Sequence, residues 1–250
     1  MKPLSIFLGY DQREHAAYEV ADFSIHRRAS VPVLITPLVL SQLGHILHRP
    51  VERRDGKLWC PISQAPMSTE FAISRFCVPF LQREGWALFA DCDILCLADI
   101  AELFSLADQR YAVQVVKHES AQTRLLNKIE TAVGLKMDGQ VQTQYARKNW
   151  SSLVLWNCEH PANMRFTADG HALNTWPGRD LHAFKWLKDD EIGELPQAWN
   201  WLVGVTQGDA YAARLLHFTL GSPAFPEWIG GPCDELWIRE RCELNPRPAS

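Results

Sequence analysis

The chain has 250 residues, 47% hydrophobic and 22% charged, enough length and apolar content for one α/β domain with a sizeable core. Its net charge of −4 provides no broad cationic field, which argues against a nucleic-acid partner, and no run approaches the ~20 apolar residues of a membrane span. The seven cysteines show neither paired nor C-x-x-C spacing, and the N-terminus enters a strand without an apolar leader, so the expectation is a cytoplasmic protein with reduced thiols.

Leu4 to Leu8 reads as a first strand ending at Gly9-Tyr10-Asp11. Gly9 allows close backbone approach, Tyr10 offers a ring, and Asp11 either caps the next helix or meets a ligand. Ala16, Ala17, Val20, Phe23, Ser24 and Ile25 recur at helical spacing up to about Ala29, and Val33–Leu38 reads as a second strand. A β-α-β opening of this kind suits a nucleotide-binding half-sheet. Residues 41–67 read as irregular, with a short helical Ser41–Leu47 and a polar Arg49–Lys57 stretch, a lid or acceptor loop by length. Ser68-Thr69-Glu70 carries a capping signature and predicts a helix through Phe71 and Phe76 to Gly85, bent or broken by Pro79. Arg75 on that helix is either a snorkelling surface residue or a ligand for phosphate or base.

The most informative stretch follows. Trp86–Ala90 is a short continuous apolar run after Gly85, the pattern of a buried parallel strand, and Asp91 and Asp93 stand where it ends. Ligands of open α/β sheets bind beyond the carboxyl ends of strands. Two carboxylates in an apolar surround repel one another unless a cation or donors lie between them, and a hard divalent ion shared with substrate phosphates resolves that conflict. The alternative is a polar strand end with Asp91 capping a turn and Asp93 solvated. A phosphatase reading of the D-x-D is disfavoured because Leu95 stands where Thr or Val is needed and the motif lies well inside the chain.

Asp99–Leu106 reads as a short helix and Tyr111–Val116 as a strand. Residues 117–148 are polar and suit a flap. Asn149-Trp150-Ser151-Ser152 leads into the apolar strand Leu153–Asn157, with small residues that would let a sugar approach the backbone. Thr175–Lys188 reads as turn then helix, Leu195–Asn200 as a loop, Leu215–Thr219 as a late strand, Pro223–Pro232 as a loop and Cys233–Leu244 as a helix anchored by Trp237.

Six of these segments, in this order, resemble the GT-A nucleotide-sugar glycosyltransferases of family eight, the glycogenin and lipopolysaccharide galactosyltransferase family. They are Gly9-Tyr10-Asp11, Ser74-Arg75-Phe76 with Pro79-Phe80-Leu81, Asp91-Cys92-Asp93, Ser151–Asn157, Leu195-Pro196-Gln197-Ala198-Trp199-Asn200, and His217-Phe218-Thr219 followed by Gly221. The chain departs from that pattern in places. Trp150 and Ser152 replace an Asn and a Gly, and Arg179-Asp180-Leu181-His182 occupies the region of a D-Q-D segment. Pro223 and Ala224 lie near the position of a diphosphate-binding Lys.

The resemblance implies an α/β GT-A fold in a single domain, a Rossmann-like mixed sheet flanked by helices, with residues 1–116 as nucleotide-binding half and 117–250 as sugar and acceptor half. It implies a UDP-sugar donor, a hexose moved with retention, and a glycan or glycolipid acceptor; the latter would place the chain at the periphery of the inner membrane. Asp91, Asp93 and His217 would hold the metal, an imidazole beside carboxylates favouring Mn²⁺ over Mg²⁺. Gly9, Tyr10, Asp11, Arg75, Ser151, Ser152, Asn200 and Gly221 would line the donor, with Lys148 or Lys185 replacing the absent Lys. Asp180, with Asp93, is the catalytic candidate, for sugar binding or charge stabilisation; otherwise Asp180 is an acid on a helix dipole. The competing functions are a catalytically silent nucleotide-sugar or glycan-binding module, and a phosphatase or nucleotidyltransferase using the same acids.

Overall fold

The computed structural model describes residues 2–118 and 147–245; most of the stretch read as a flap lies outside them. The chain opens with β1 (Leu4–Gly9), a 3₁₀ turn (Gln12–Glu14), α1 (His15–Arg28) and β2 (Val33–Leu38), close to the expected β-α-β unit. Residues 41–67 are more ordered than expected. They form a small antiparallel sheet of β3 (Glu52–Arg54), β4 (Lys57–Cys60) and β5 (Ala65–Pro66). Asp55-Gly56, both at positive φ (50° and 76°), makes the β3–β4 turn, the dipeptide and backbone geometry that favour a tight hairpin.

The helix expected from Ser68 to Gly85 divides into α2 (Phe71–Ser74), a 3₁₀ turn (Arg75–Cys77) and α3 (Val78–Gln82). Pro79 enters at the first turn of α3, where its missing N–H costs nothing. The capping box is not made: the Asp11 carboxylate accepts from Glu70 N at 3.0 Å instead. Next come β6 (Trp86–Ala90), β7 (Ile94–Cys96), α4 (Ile100–Phe104, capped by Asp99), β8 (Val113–Val115) and β9 (Leu153–Asn157). The segment between β9 and residue 175, left without elements in the sequence reading, holds α5 (Pro161–Asp169) and α6 (His171–Thr175), joined at Gly170 with φ 63°. The helix expected over 175–188 is only α7 (Gly178–His182). It is followed by β10 (Ile192–Glu194), a 3₁₀ turn (Gln197–Asn200) where a loop was expected, β11 (Trp201–Leu202), β12 (Leu215–His217) and α8 (Asp234–Leu244).

Six strands form the main sheet in the order β10-β8-β9-β6-β1-β2. β6 is parallel to β1 but antiparallel to β9, so the sheet is mixed rather than parallel around the central strand. The unbroken apolar run of β6 follows from burial on both faces. Ala87 and Phe89 enter a core with Phe7, Phe71 and Phe76, while Leu88 and Ala90 enter a second with Ile6, Leu8 and Ile25. Directly after the two acids, β7 leaves this sheet and joins β11 and β12 in a three-stranded one. Trp237 of α8 is buried as expected, and the bidentate Arg28–Glu240 pair (2.6 and 2.8 Å) ties α8 to α1.

Candidate metal centre and its surroundings

The two sheets meet at Asp91-Cys92-Asp93. Cys92 turns into the core and its thiol donates to the buried Glu14 Oε2 at 3.2 Å. Asp91 N donates to Ser152 O (2.9 Å), and Asp93 O accepts from Phe218 N (2.8 Å). The antiparallel ladder of β7 with β12 sets His217 opposite Ile94, next to Asp93 despite more than a hundred intervening residues. His217 Nε2 lies 3.2 Å from Asp93 Oδ1 and 3.9 Å from Asp91 Oδ2, and one ligand atom from each of the three falls within 4.8 Å of the others.

The donor set fits a divalent cation. His217 Nε2 is buried and makes no hydrogen bond of acceptable geometry, although carboxylate oxygens surround it. An ion holding nitrogen and oxygen at about 2.1 Å keeps adjacent donors about 3 Å apart, the spacing found between His217 and Asp93. Carboxylate with imidazole is a donor set for Mn²⁺ or Mg²⁺, with nitrogen favouring the former.

Arg75 is buried rather than snorkelling. Its Nη1 lies 2.9 Å from Asp91 Oδ1 and donates to Ser151 O at 2.8 Å, with the guanidinium over the Phe71 and Phe89 rings. On the other side of Ser151, its hydroxyl meets His182 Nδ1 at 2.7 Å. Burial, reinforced by the Arg75 and Arg49 cations, holds the His182 pKa well below the ordinary value, so this imidazole is neutral. From α7 it is therefore His182, not Asp180, that is linked to the acids. Asp180 pairs with Lys185 at 2.7 Å, which engages both the catalytic candidate and one replacement for the absent Lys; the other, Lys148, is buried. Asn200 is fully buried behind His217. Its Oδ1 lies 2.9 Å from His217 Nδ1, and its Nδ2 lies 2.9 Å from Ser152 Oγ and 3.2 Å from His118 Nε2.

The two glycines read as donor contacts also lie against aromatic rings of the chain. A Cβ on Gly9 would stand 2.5 Å from the Phe71 ring, and one on Gly221 would overlap the Trp228 ring, so the chain's own aromatics make the close approaches. Asp11 caps the Gln12–Glu14 turn and accepts from Arg13 N, Nε and Nη2. Burial raises its pKa, but these bonds and the Arg13 charge outweigh that and leave it below the usual carboxylate range. Tyr10 packs edge-on to Tyr18 and its hydroxyl meets His15 Nδ1 at 3.3 Å. Beside them lies a cleft of about 290 Å³ lined by Asp11, Gln12, Arg13, Arg53, Leu58 and Glu70. The β1–β6 register pairs Leu8 with Ala90, which places Gly9-Tyr10-Asp11 next to Asp91 at the same sheet edge.

The sequence reading missed His118, His182 and Glu14. A histidine or acid carries no local pattern that announces a partner across the fold, and only the D-x-D at a strand end marked the place where these side chains gather.

Searched against models of known protein families, the sequence matches none. It is 44% identical over 249 residues to Protein CDI of Arabidopsis thaliana, spanning 98% of this chain and 88% of that protein. The galactosyltransferase LgtC, solved in complex with donor and acceptor sugar analogs, superposes with a TM-score of 0.54 at 13% identity over 98% of both chains. The WbbM bifunctional glycosyltransferase gives 0.53 at 11% identity over 95% of this chain, which spans 51% of the WbbM chain. At such identities the likeness is one of fold, the mixed, helix-flanked sheet of GT-A glycosyltransferases. No helix among the described residues is long and apolar enough to cross a membrane.

Proposed function

We propose that this chain, which belongs to the family of Protein CDI from Arabidopsis thaliana, is a metal-dependent glycosyltransferase acting on a nucleotide-sugar donor. The observation that carries this reading is the convergence of Asp91, Asp93 and His217 at the edge where two sheets meet. The donor is a UDP-hexose and the acceptor a glycan or glycolipid, with transfer by retention. The nucleotide lies on the half formed by residues 1–116 and the acceptor on the half formed by residues 117–250.

Asp91, Asp93 and His217 would hold Mn²⁺ or Mg²⁺, which would supply positive charge for a departing diphosphate. Asp11 lines the cleft taken here for base and ribose, with Tyr10 beside it in sequence, one step along the sheet edge from Asp91. Arg75 fixes the Asp91 carboxylate and the Ser151 carbonyl in one arrangement, so that the acid is oriented before the donor arrives. Ser151 and Ser152 at the entry of β9 leave room for the sugar, and Asp180, paired with Lys185, is the acid for its hydroxyls.

Turnover of a UDP-sugar panel with Mn²⁺, with and without EDTA, tests the proposal. EDTA-sensitive UDP release is expected, and Asp93→Ala should abolish it. Tight donor binding without turnover would instead make the chain a silent binding module. Release of inorganic phosphate or pyrophosphate would make it a phosphatase or nucleotidyltransferase.

A further inference from the structure

Behind His217 runs a chain of hydrogen bonds in which each link fixes the next. It starts at a backbone carbonyl, which can only accept. Ser152 Oγ lies 2.6 Å from Asn149 O, so the one hydroxyl proton of Ser152 is committed to that carbonyl. Ser152 Oγ must then accept in its contact of 2.9 Å with Asn200, and the Asn200 atom facing it must be the NH₂. The other end of the amide, the carbonyl Oδ1, therefore faces His217 Nδ1 at 2.9 Å, and only a protonated Nδ1 makes that contact favourable. In the neutral ring the lone pair is then on Nε2, the atom 3.2 Å from Asp93 Oδ1. A lone pair turned towards carboxylates is unfavourable by itself and is the form a cation needs. The amide orientation is thus dictated by Asn149 O through Ser152, not chosen freely.

We infer that Asn200 and Ser152 are positioning residues that keep the proton of the neutral His217 ring on Nδ1, so that its lone pair falls on Nε2, the nitrogen that faces Asp91 and Asp93. The inference deepens the proposed function and rests on the metal reading of Asp91, Asp93 and His217. The sequence expectation places both residues against the donor; the hydrogen bonds give them a further role behind His217. Asn200 is closed to solvent and its amide is engaged on both sides. No atom or charge is transferred; the two residues act only by setting which imidazole nitrogen carries the proton.

Two measurements on the full chain test this. The first is ¹⁵N NMR of the histidine rings without metal, followed upward in pH until the ring is neutral, with His217 assigned by its loss in His217→Gln. The Nδ1–H tautomer is expected for wild type, and a mixture or the Nε2–H tautomer for Ser152→Ala, in which the amide is free to turn. The second is Mn²⁺ titration by calorimetry, using the metal alone. Asn200→Leu should weaken Mn²⁺ by roughly 10- to 100-fold, the usual effect of losing a partner behind a ligating histidine. Ser152→Ala should weaken it less, and Asn200→Asp, which keeps an acceptor facing Nδ1, should retain most of it. An Nε2–H tautomer in the wild type overturns the inference, as does Mn²⁺ affinity in both Asn200→Leu and Ser152→Ala within twofold of wild type. Should Asn200→Leu fail to fold, Ser152→Ala and the wild-type spectrum decide. If wild type binds no Mn²⁺ yet shows the Nδ1–H tautomer that Ser152→Ala loses, the proposed function falls and the positioning role stands.

Discussion

Replacing Arg75 by Leu removes a guanidinium that lies 2.9 Å from Asp91 Oδ1 and donates to Ser151 O at 2.8 Å. Both side chains are largely closed to water, Arg75 at 8% and Asp91 at 14% exposure. Deleting one member of a buried ion pair costs about 3–5 kcal/mol, because the partner's charge stays in a poorly solvated place. The remaining access of water to Asp91 places the loss near the lower end, about 3 kcal/mol, measured by urea denaturation in EDTA. A double-mutant cycle with Asp91→Asn isolates the pair: the double variant should recover part of the loss, with a coupling energy of about 2 kcal/mol. The same series separates two roles for Arg75. If it orients Asp91, stability falls without any nucleotide present. If it binds donor phosphate, stability holds and UDP affinity falls. Coupling below about 0.5 kcal/mol together with weakened UDP binding would refute the orienting role.

Other perturbations test other parts of the structure. His182 is held neutral in the folded protein, so below a pH of about 6.5 the unfolded chain binds a proton that the folded chain does not, and stability falls as pH falls. That component has a slope of up to about 1.4 kcal/mol per pH unit; His182→Gln should shrink the difference between urea midpoints at about pH 7.5 and about pH 5.5, and an unchanged difference would show that the folded protein protonates His182. Glu240→Gln breaks the paired contacts to Arg28 and the contact to Arg27 that dock α8 on α1, at an expected cost of about 3 kcal/mol in denaturation with Mn²⁺ affinity unchanged. Gly9→Ala drives a methyl into the Phe71 ring and should cost about 1–3 kcal/mol, part of it recovered by Phe71→Leu in the same chain; no loss would mean that the ring moves aside.

The parts of this protein legible in its sequence were those governed by local pattern. β1, β2, β6 and β9 are apolar runs long enough to show, and the helical spacing of α1 and the Trp237-anchored α8 were visible in the same way. The Asp91-Asp93 pair at the end of β6 and the late His217 each carry a local mark, and the fold brings the three together. The rest depended on distant partners. The β3–β4 hairpin is polar and only three to four residues per strand, so its sole local mark was Asp55-Gly56. Gly9 and Gly221 are read as donor-lining residues, and nothing in the order of residues says that Phe71 and Trp228 pack against them. Asn200 belonged to a motif that marks the site, but its place behind the imidazole emerges only from the β7–β12 ladder and the turn before β9.

The junction at Asp91-Cys92-Asp93 has a consequence for how this molecule matures. Two ligand groups sit where one sheet hands the chain to another, and the third comes from a strand that closes the smaller sheet much later in the sequence. A cation gripped by all three would clamp both layers shut, and its affinity for the closed form would add directly to the free energy of keeping them closed. On the proposed function, metal uptake would then double as an assembly check, because a chain whose smaller sheet has not docked lacks the imidazole.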